Sequence, residues 1–109
     1  MITIDQFKQV EMAVGMVMTA VNQEGSEKLI KLTVDLGEEN PRTIYTAVRP
    51  FGYTPEDFIN KKFIFVTNLE PKKIMDDYSQ GMIMAVDGPD NRPVFLLPAA
   101  DVAIGARVR

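Results

Sequence analysis

Residues 42–68, RTIYTAVRPFGYTPEDFINKKFIFVTN, decide the fold. At one end, Ile44, Thr46 and Val48 alternate with Thr43, Tyr45 and Ala47, the period of a strand with one face covered. At the other end, Phe63 to Asn68 is a second apolar run of strand length. The segment between them holds two prolines and a glycine, so no strand passes through it. Thr54 followed by Pro55 reads as an N-cap with proline at the first helical position. Glu56 and Asp57 suit the positive end of the helix so opened. The stretch therefore predicts a strand, a helix from Pro55 to about Ile59 that packs Phe58, and another strand.

Upstream, residues 28–36, KLIKLTVDL, place Ile30, Leu32, Val34 and Leu36 on one face and Lys31, Thr33 and Asp35 on the other. Gly37 to Pro41 is a turn cluster, so this strand and residues 42–48 form a hairpin. Residues 13–22, AVGMVMTAVN, predict a long first strand in which Gly15 marks a bulge or sharp bend. Thr3 and Gln6 stand at capping-box spacing, with Ile4, Phe7 and Val10 on one face of a short N-terminal helix.

Downstream, residues 68–86 read NLEPKKIMDDYSQGMIMAV. Pro71 stops the preceding strand near Leu69 and puts Lys72 and Lys73 on a turn rather than in a ladder. Gly81 to Val86 is the fifth strand, Asp87 to Asn91 a turn, Val94 to Leu97 a short apolar run, and residues 98–109 a loop-rich tail. The expected fold is all-β with short helices. Five strands with a helix between the third and fourth is the order of an OB-fold, a Greek-key barrel, filling residues 1–109 as one domain.

Composition narrows the chemistry. With 46% hydrophobic and 25% charged side chains, 109 residues suit a single folded domain. A net charge of −3 argues against capture of polyanions by the overall field, so any nucleic-acid site is a local patch. The chain has neither Cys nor His, which removes thiolate nucleophiles, the commonest metal ligand and the usual general base. No nucleophile–base pair can be named, so an enzyme is not expected and no cofactor is implied. Asp87, Asp90 and Asn91 lack the spacing of a calcium loop and read as a turn. The N-terminal MITIDQF is neither a signal peptide nor a membrane span, and a cytosolic protein is the expectation.

Three patterns in fixed order, Ser26-x-Lys28-Leu29, Asn68-Leu69-x-Pro71-x-Lys73 and Ser79-Gln80-Gly81-Met82, together with GSEKLIKLTVDLGEE and YTPED, carry a resemblance over nearly the whole chain. The chain resembles the tRNA-binding domain related to endothelial monocyte-activating polypeptide II. Similar domains occur in methionyl- and phenylalanyl-tRNA synthetases and as free-standing homodimers, among them a secretion chaperone. The resemblance implies an OB-fold that binds tRNA by structure more than by sequence, without catalysis. Carried onto this chain, the tRNA contacts are Ser26, Lys28, Lys31, Asn68, Lys72, Lys73, Ser79, Gln80, Gly81 and Met82.

Each residue has a plainer alternative. Lys28, Lys72 and Lys73 would meet phosphates, but a Lys pair on a loop also serves as mere solvation. Ser79 and Asn68 would reach a 2′-OH or a base edge, although a serine there also satisfies a turn. Met82 would pack beneath a nucleotide, with core filling the favoured alternative. Tyr45, Tyr53 and Tyr78 are stacking platforms or barrel-rim residues. Relative to the family pattern, Ala13, Met16 and Met75 replace basic residues, and Asp76 and Asp77 add negative charge beside Lys72 and Lys73. Within residues 61–73, Lys61, Lys62, Lys72 and Lys73 outweigh Glu70.

The leading expectation is a tRNA-binding module that assists an aminoacyl-tRNA synthetase. The alternative is a peptide-binding chaperone that uses an apolar dimer cleft. The start at Met1 favours a free protein. Phe95, Leu96, Leu97, Val102 and Ile104 exceed what one small barrel covers, which predicts a homodimer.

Overall fold

The computed structural model describes all 109 residues. The longest β-forming run becomes the spine. β1 (Met12–Asn22) pairs along its first half with β4 (Lys62–Val66), Ala13 opposite Phe65. Along its second half it pairs with β2 (Ile30–Asp35), Ala20 opposite Leu32. β2 turns into β3 (Arg42–Thr46), and β4 takes up β7 (Met82–Ile83) on its far side. The order β3-β2-β1-β4-β7, antiparallel throughout, uses the five strands expected. Closure comes where β3 meets the residues entering β7. The Gln80 backbone N–H donates to the Thr43 carbonyl at 2.8 Å, and the Thr43 N–H donates to Gln80 Oε1 at 2.8 Å. The result is a nearly closed barrel of the OB type.

The alternation in residues 30–36 does what its period dictates: Ile30, Leu32 and Val34 are fully buried and Lys31, Thr33 and Asp35 are not. They meet Val17, Ile44, Phe58 and Phe65, also fully buried, and each such side chain contributes about 1.5–3 kcal/mol by leaving water. The N-terminal capping box forms between Thr3 and Gln6 on a helix, α1 (Ile4–Phe7), of four residues. Ile4, Phe7 and Val10 stay exposed.

Three expectations are corrected. The β1 bulge falls between Val17 and Thr19, not at Gly15. A Cβ at Gly15 would lie 2.7 Å from Val34 Cγ1 and 2.8 Å from the Phe65 ring, so this glycine makes room for core side chains. The helix after Thr54 is one 3-10 turn, Pro55–Asp57, with the Asp57 carboxylate accepting the Thr54 N–H at 2.8 Å; it still delivers Phe58 to the core. The single fifth strand is broken at Met84: Met82–Ile83 belongs to the barrel, whereas Ala85–Asp87 (β8) pairs with Pro93–Phe95 (β9).

The tail is also better covered than its composition suggests. Phe95 lies 5.1–5.9 Å from the rings of Tyr53, Phe58 and Phe63. The Gly105 and Val108 N–H groups donate to the Val14 and Met12 carbonyls at 2.8 and 2.9 Å, laying the tail along β1. Leu96, Val102 and Ile104 are half-buried and only Leu97 stands well out.

Candidate nucleic-acid interface

Between β4 and β7 the chain leaves the barrel. The preceding strand stops at Val66, well short of Leu69, so it is not Pro71 that ends it, and Lys72 and Lys73 do not sit on a turn. They belong to β5 (Lys72–Ile74), which pairs with β6 (Asp77–Ser79) in a hairpin whose two-residue tip is Met75-Asp76. Side chains alternate across such a ribbon. Lys72 and Ile74 face a groove of about 270 Å³ that is also lined by Leu29, Tyr45, Ala47, Leu69, Glu70, Ser79, Gly81 and Met82. Lys73 lies opposite Tyr78 on the other face.

The loop between β1 and β2 closes the same groove from the other side. Ser26 Oγ accepts the N–H groups of Lys28 and Leu29 at 3.1 Å each, which turns the chain and points Leu29 inward. Arg49 braces this loop by donating its backbone N–H to the Lys28 carbonyl and its Nη1 to the Ser26 carbonyl. Gly25, at φ +80°, would bring a Cβ within 3.3 Å of Met75 Cε, so loop and hairpin tip touch. Lys28, Lys72 and Lys73 are all exposed, and none has a carboxylate within ion-pair distance.

Four other cations are ion-paired. Lys31 stands 3.6 Å from the Asp77 carboxylate, Arg42 chelates Glu38, Lys62 meets Asp101 at 2.8 Å and Arg107 meets Glu11 at 3.3 Å. Lys61 and Lys62 therefore do not join Lys72 and Lys73 in one patch: they sit at the opposite end of β4, beside Leu97 and Asp101. Ala13 is buried against Phe65, and Met16 lies in the same distant hollow as Lys61. Of the acidic departures, Asp76 is exposed at the hairpin tip. Asp77 is engaged, its Oδ2 accepting the Tyr45 hydroxyl at 2.8 Å and its Oδ1 the Tyr78 N–H at 2.8 Å. These bonds, the Tyr78 N–H first, hold the Asp77 carboxyl below the usual aspartate range. Burial, then the bond to Asp77, pushes the Tyr45 phenol up to about 12.

The polar residues carried over from sequence serve the fold. The Ser79 hydroxyl is buried, accepting the Tyr45 N–H at 3.0 Å and donating to the Gly81 carbonyl at 3.1 Å, as the turn-satisfying alternative has it. Asn68 Oδ1 accepts the Glu11 N–H at 2.8 Å and its Nδ2 donates to the Gln9 carbonyl at 2.6 Å, tying the N-terminal segment down. Gly81 lets the chain approach β4, since a Cβ there would lie 2.9 Å from the Val66 carbonyl oxygen. Core filling does not describe Met82, which is 47% exposed in the groove; Ile83 beside it takes the core position. Among the tyrosines only Tyr78 leaves its ring exposed. Sequence reasoning missed Arg42, Arg49 and the Tyr45–Asp77–Lys31 chain, whose partners in these bonds lie 23 to 46 positions apart.

The site is thus an apolar groove lined by Lys72, with Lys28 on the adjoining loop and Lys73 on the other face of the ribbon, none of the three ion-paired. Its lining suits a flat or aliphatic group with positive charge close by. A family model described as "Putative tRNA binding domain" matches residues 12–107. A methionine--tRNA ligase of Methanocella arvoryzae is 45% identical over 86 residues, covering 79% of this chain and 12% of the ligase; the chain spans about an eighth of that relative. The crystal structure of a MetRS related protein from Pyrococcus horikoshii superposes with a TM-score of 0.91 at 38% identity, covering 100% of this chain and 98% of that one. The chaperone CsaA of Bacillus anthracis str. Ames superposes at 0.86 with 22% identity, covering 100% and 99%, a likeness of fold alone.

Proposed function

The chain belongs to the tRNA-binding domain family, and from that premise we propose a non-catalytic module that grips folded tRNA by shape and phosphate contacts. The observation that carries this reading is the company kept by the free cations. Lys72 lines the apolar groove, and Lys28 and Lys73 stand on the loop and the ribbon beside it, all three without carboxylate partners, whereas Lys31, Arg42, Lys62 and Arg107 are neutralised. Phosphate contacts of this kind position RNA and make its affinity fall with salt. Ser26, Ser79, Gln80 and Gly81 act by shaping the loop and hairpin that hold those lysines, while Asn68 ties the N-terminal segment down. Met82 and Tyr78 offer apolar and stacking surface.

The same proposal takes residues 1–109 as one binding domain, in the cytoplasm, as a homodimer that assists an aminoacyl-tRNA synthetase. No helix is long and apolar enough to cross a membrane. For the dimer, support comes from the N-terminal segment and the end of the tail: Ile4, Phe7 and Val10 line a hollow of about 320 Å³ with Val108 and the basic Lys8, Arg107 and Arg109. Titration with total tRNA and with unfolded peptides at two salt concentrations tests the reading. Salt-sensitive tRNA binding is the expected result. Binding of peptides but not of tRNA overturns it in favour of a chaperone.

A further inference from the structure

The excursion that carries Lys72 and Lys73 begins at Thr67 and returns at Gln80, and both ends converge on one side chain. Arg42, the first residue of β3, donates from Nη1 to the Thr67 carbonyl at 2.5 Å and to the Gln80 carbonyl at 3.1 Å. Its Nε and Nη2 meanwhile grip the two carboxylate oxygens of Glu38 at 2.8 and 2.7 Å. The planar fork of a guanidinium makes these four bonds together, which the three N–H groups on a lysine's one nitrogen cannot do. Glu38 neutralises the charge and fixes the fork from behind, so this cation at the feet of the hairpin is spent on two backbone carbonyls instead of being offered to a ligand.

We propose that Arg42 is a positioning residue of the tRNA site. By pinning both feet of the hairpin it sets where Lys72 and Lys73 stand relative to Lys28, and it touches no RNA itself. This rests on the assignment of hairpin β5–β6 to tRNA. It goes beyond that assignment in giving a cation outside the groove a role that acts only through the hairpin.

The test is a double-mutant cycle in tRNA affinity and salt slope, run at a temperature where circular dichroism shows every variant folded. Arg42→Ala is made in the native chain and in the Lys72→Ala/Lys73→Ala chain, beside Arg42→Lys and with amide exchange of the hairpin as a readout free of RNA. Arg42→Ala is expected to weaken tRNA binding by about the factor that Lys72→Ala/Lys73→Ala does, and to have no further effect in the double-alanine background. Arg42→Lys keeps the charge but loses the fork, and is expected to bind as weakly as Arg42→Ala. In both Arg42 variants the amides of residues 72–74 and 77–79 should exchange faster while those paired between β1 and β2 keep their protection. A further loss of affinity and of about 0.9 in salt slope in the double-alanine background would make Arg42 a phosphate contact and overturn the proposal. Unchanged hairpin exchange, or native binding by Arg42→Lys, overturns it as well. If Lys72→Ala/Lys73→Ala alone leaves tRNA binding intact, the assignment of the hairpin fails first, and the positioning role falls with it.

Discussion

Two ribbons of three-residue strands are appended to the same barrel, and they differ in what fastens them. Hairpin β8–β9 combines packing with polar bonds: Phe95 enters a cluster with Tyr53, Phe58 and Phe63, the Arg92 guanidinium lies 4.2 Å from the centre of the Tyr53 ring, and the Tyr53 hydroxyl donates to the Pro93 carbonyl. Hairpin β5–β6 is held by polar bonds, from Arg42 at its feet, Ser79 along its inner edge and Tyr45 with Lys31 at Asp77. The difference follows from what each ribbon exposes. A hairpin that must keep Lys72, Lys73 and Tyr78 in water cannot bury them as an anchor, so it is attached through backbone carbonyls, a buried hydroxyl and a carboxylate.

The contrast is broken most severely through its apolar half. Phe58→Ala removes a fully buried ring that touches both Phe95 and Phe63, and is expected to cost about 3–5 kcal/mol in denaturant unfolding. Amides of β8–β9 should lose protection first; equal early loss in β5–β6 would show that the two ribbons share an anchor. Next comes Ser79→Ala, which leaves the Tyr45 N–H without its acceptor and is expected to cost about 1–3 kcal/mol. Retention of native stability would mean that the hydroxyl is not the fastening described.

How much of this was legible in the sequence depends on whether a signal was local. The alternation of residues 30–36, the Thr3–Gln6 capping box and the Thr54–Pro55 start are written within a few residues, and all three formed. The strands of β5–β6, by contrast, read KKI and DYS, with no alternation of apolar and polar residues to betray a ladder, because little lies beneath them. The run GMIMAV looks continuous because both its halves are apolar, although they pair with different strands. Gly15 was visible as a glycine, but whether it bends a strand or clears space depends on Val34 and Phe65 across the barrel. The largest gap concerned charge. Counting lysines along the chain could not show that Lys31 and Lys62 are neutralised by Asp77 and Asp101, 46 and 39 positions away.

Smaller effects sharpen the polar half. Asp77, held below its ordinary pKa, adds stability that is present above the ordinary carboxylate range and is lost as pH falls through its lowered value. Tyr45, raised to about 12, adds stability that is present below about pH 10 and is lost as pH climbs toward 12. The brace is therefore intact across neutral pH. Asp77→Asn should return the Tyr45 phenol toward an ordinary tyrosine value in an ultraviolet titration; an unmoved titration would remove Asp77 from the brace. The smallest expected effect is that of Asp76→Asn, at the exposed tip, where the lost repulsion should raise tRNA affinity by about twofold at physiological salt. A fall in affinity would mean that the tip contacts RNA through that carboxylate.

The central claim is that hairpin β5–β6, and not hairpin β8–β9, meets tRNA through phosphates. Its most direct test is the slope of log affinity for tRNA against log salt, measured for the native chain and for Lys72→Ala/Lys73→Ala. The account predicts weaker binding and a slope shallower by up to about 1.8, the loss of two phosphate contacts. Native affinity with an unchanged slope would contradict it.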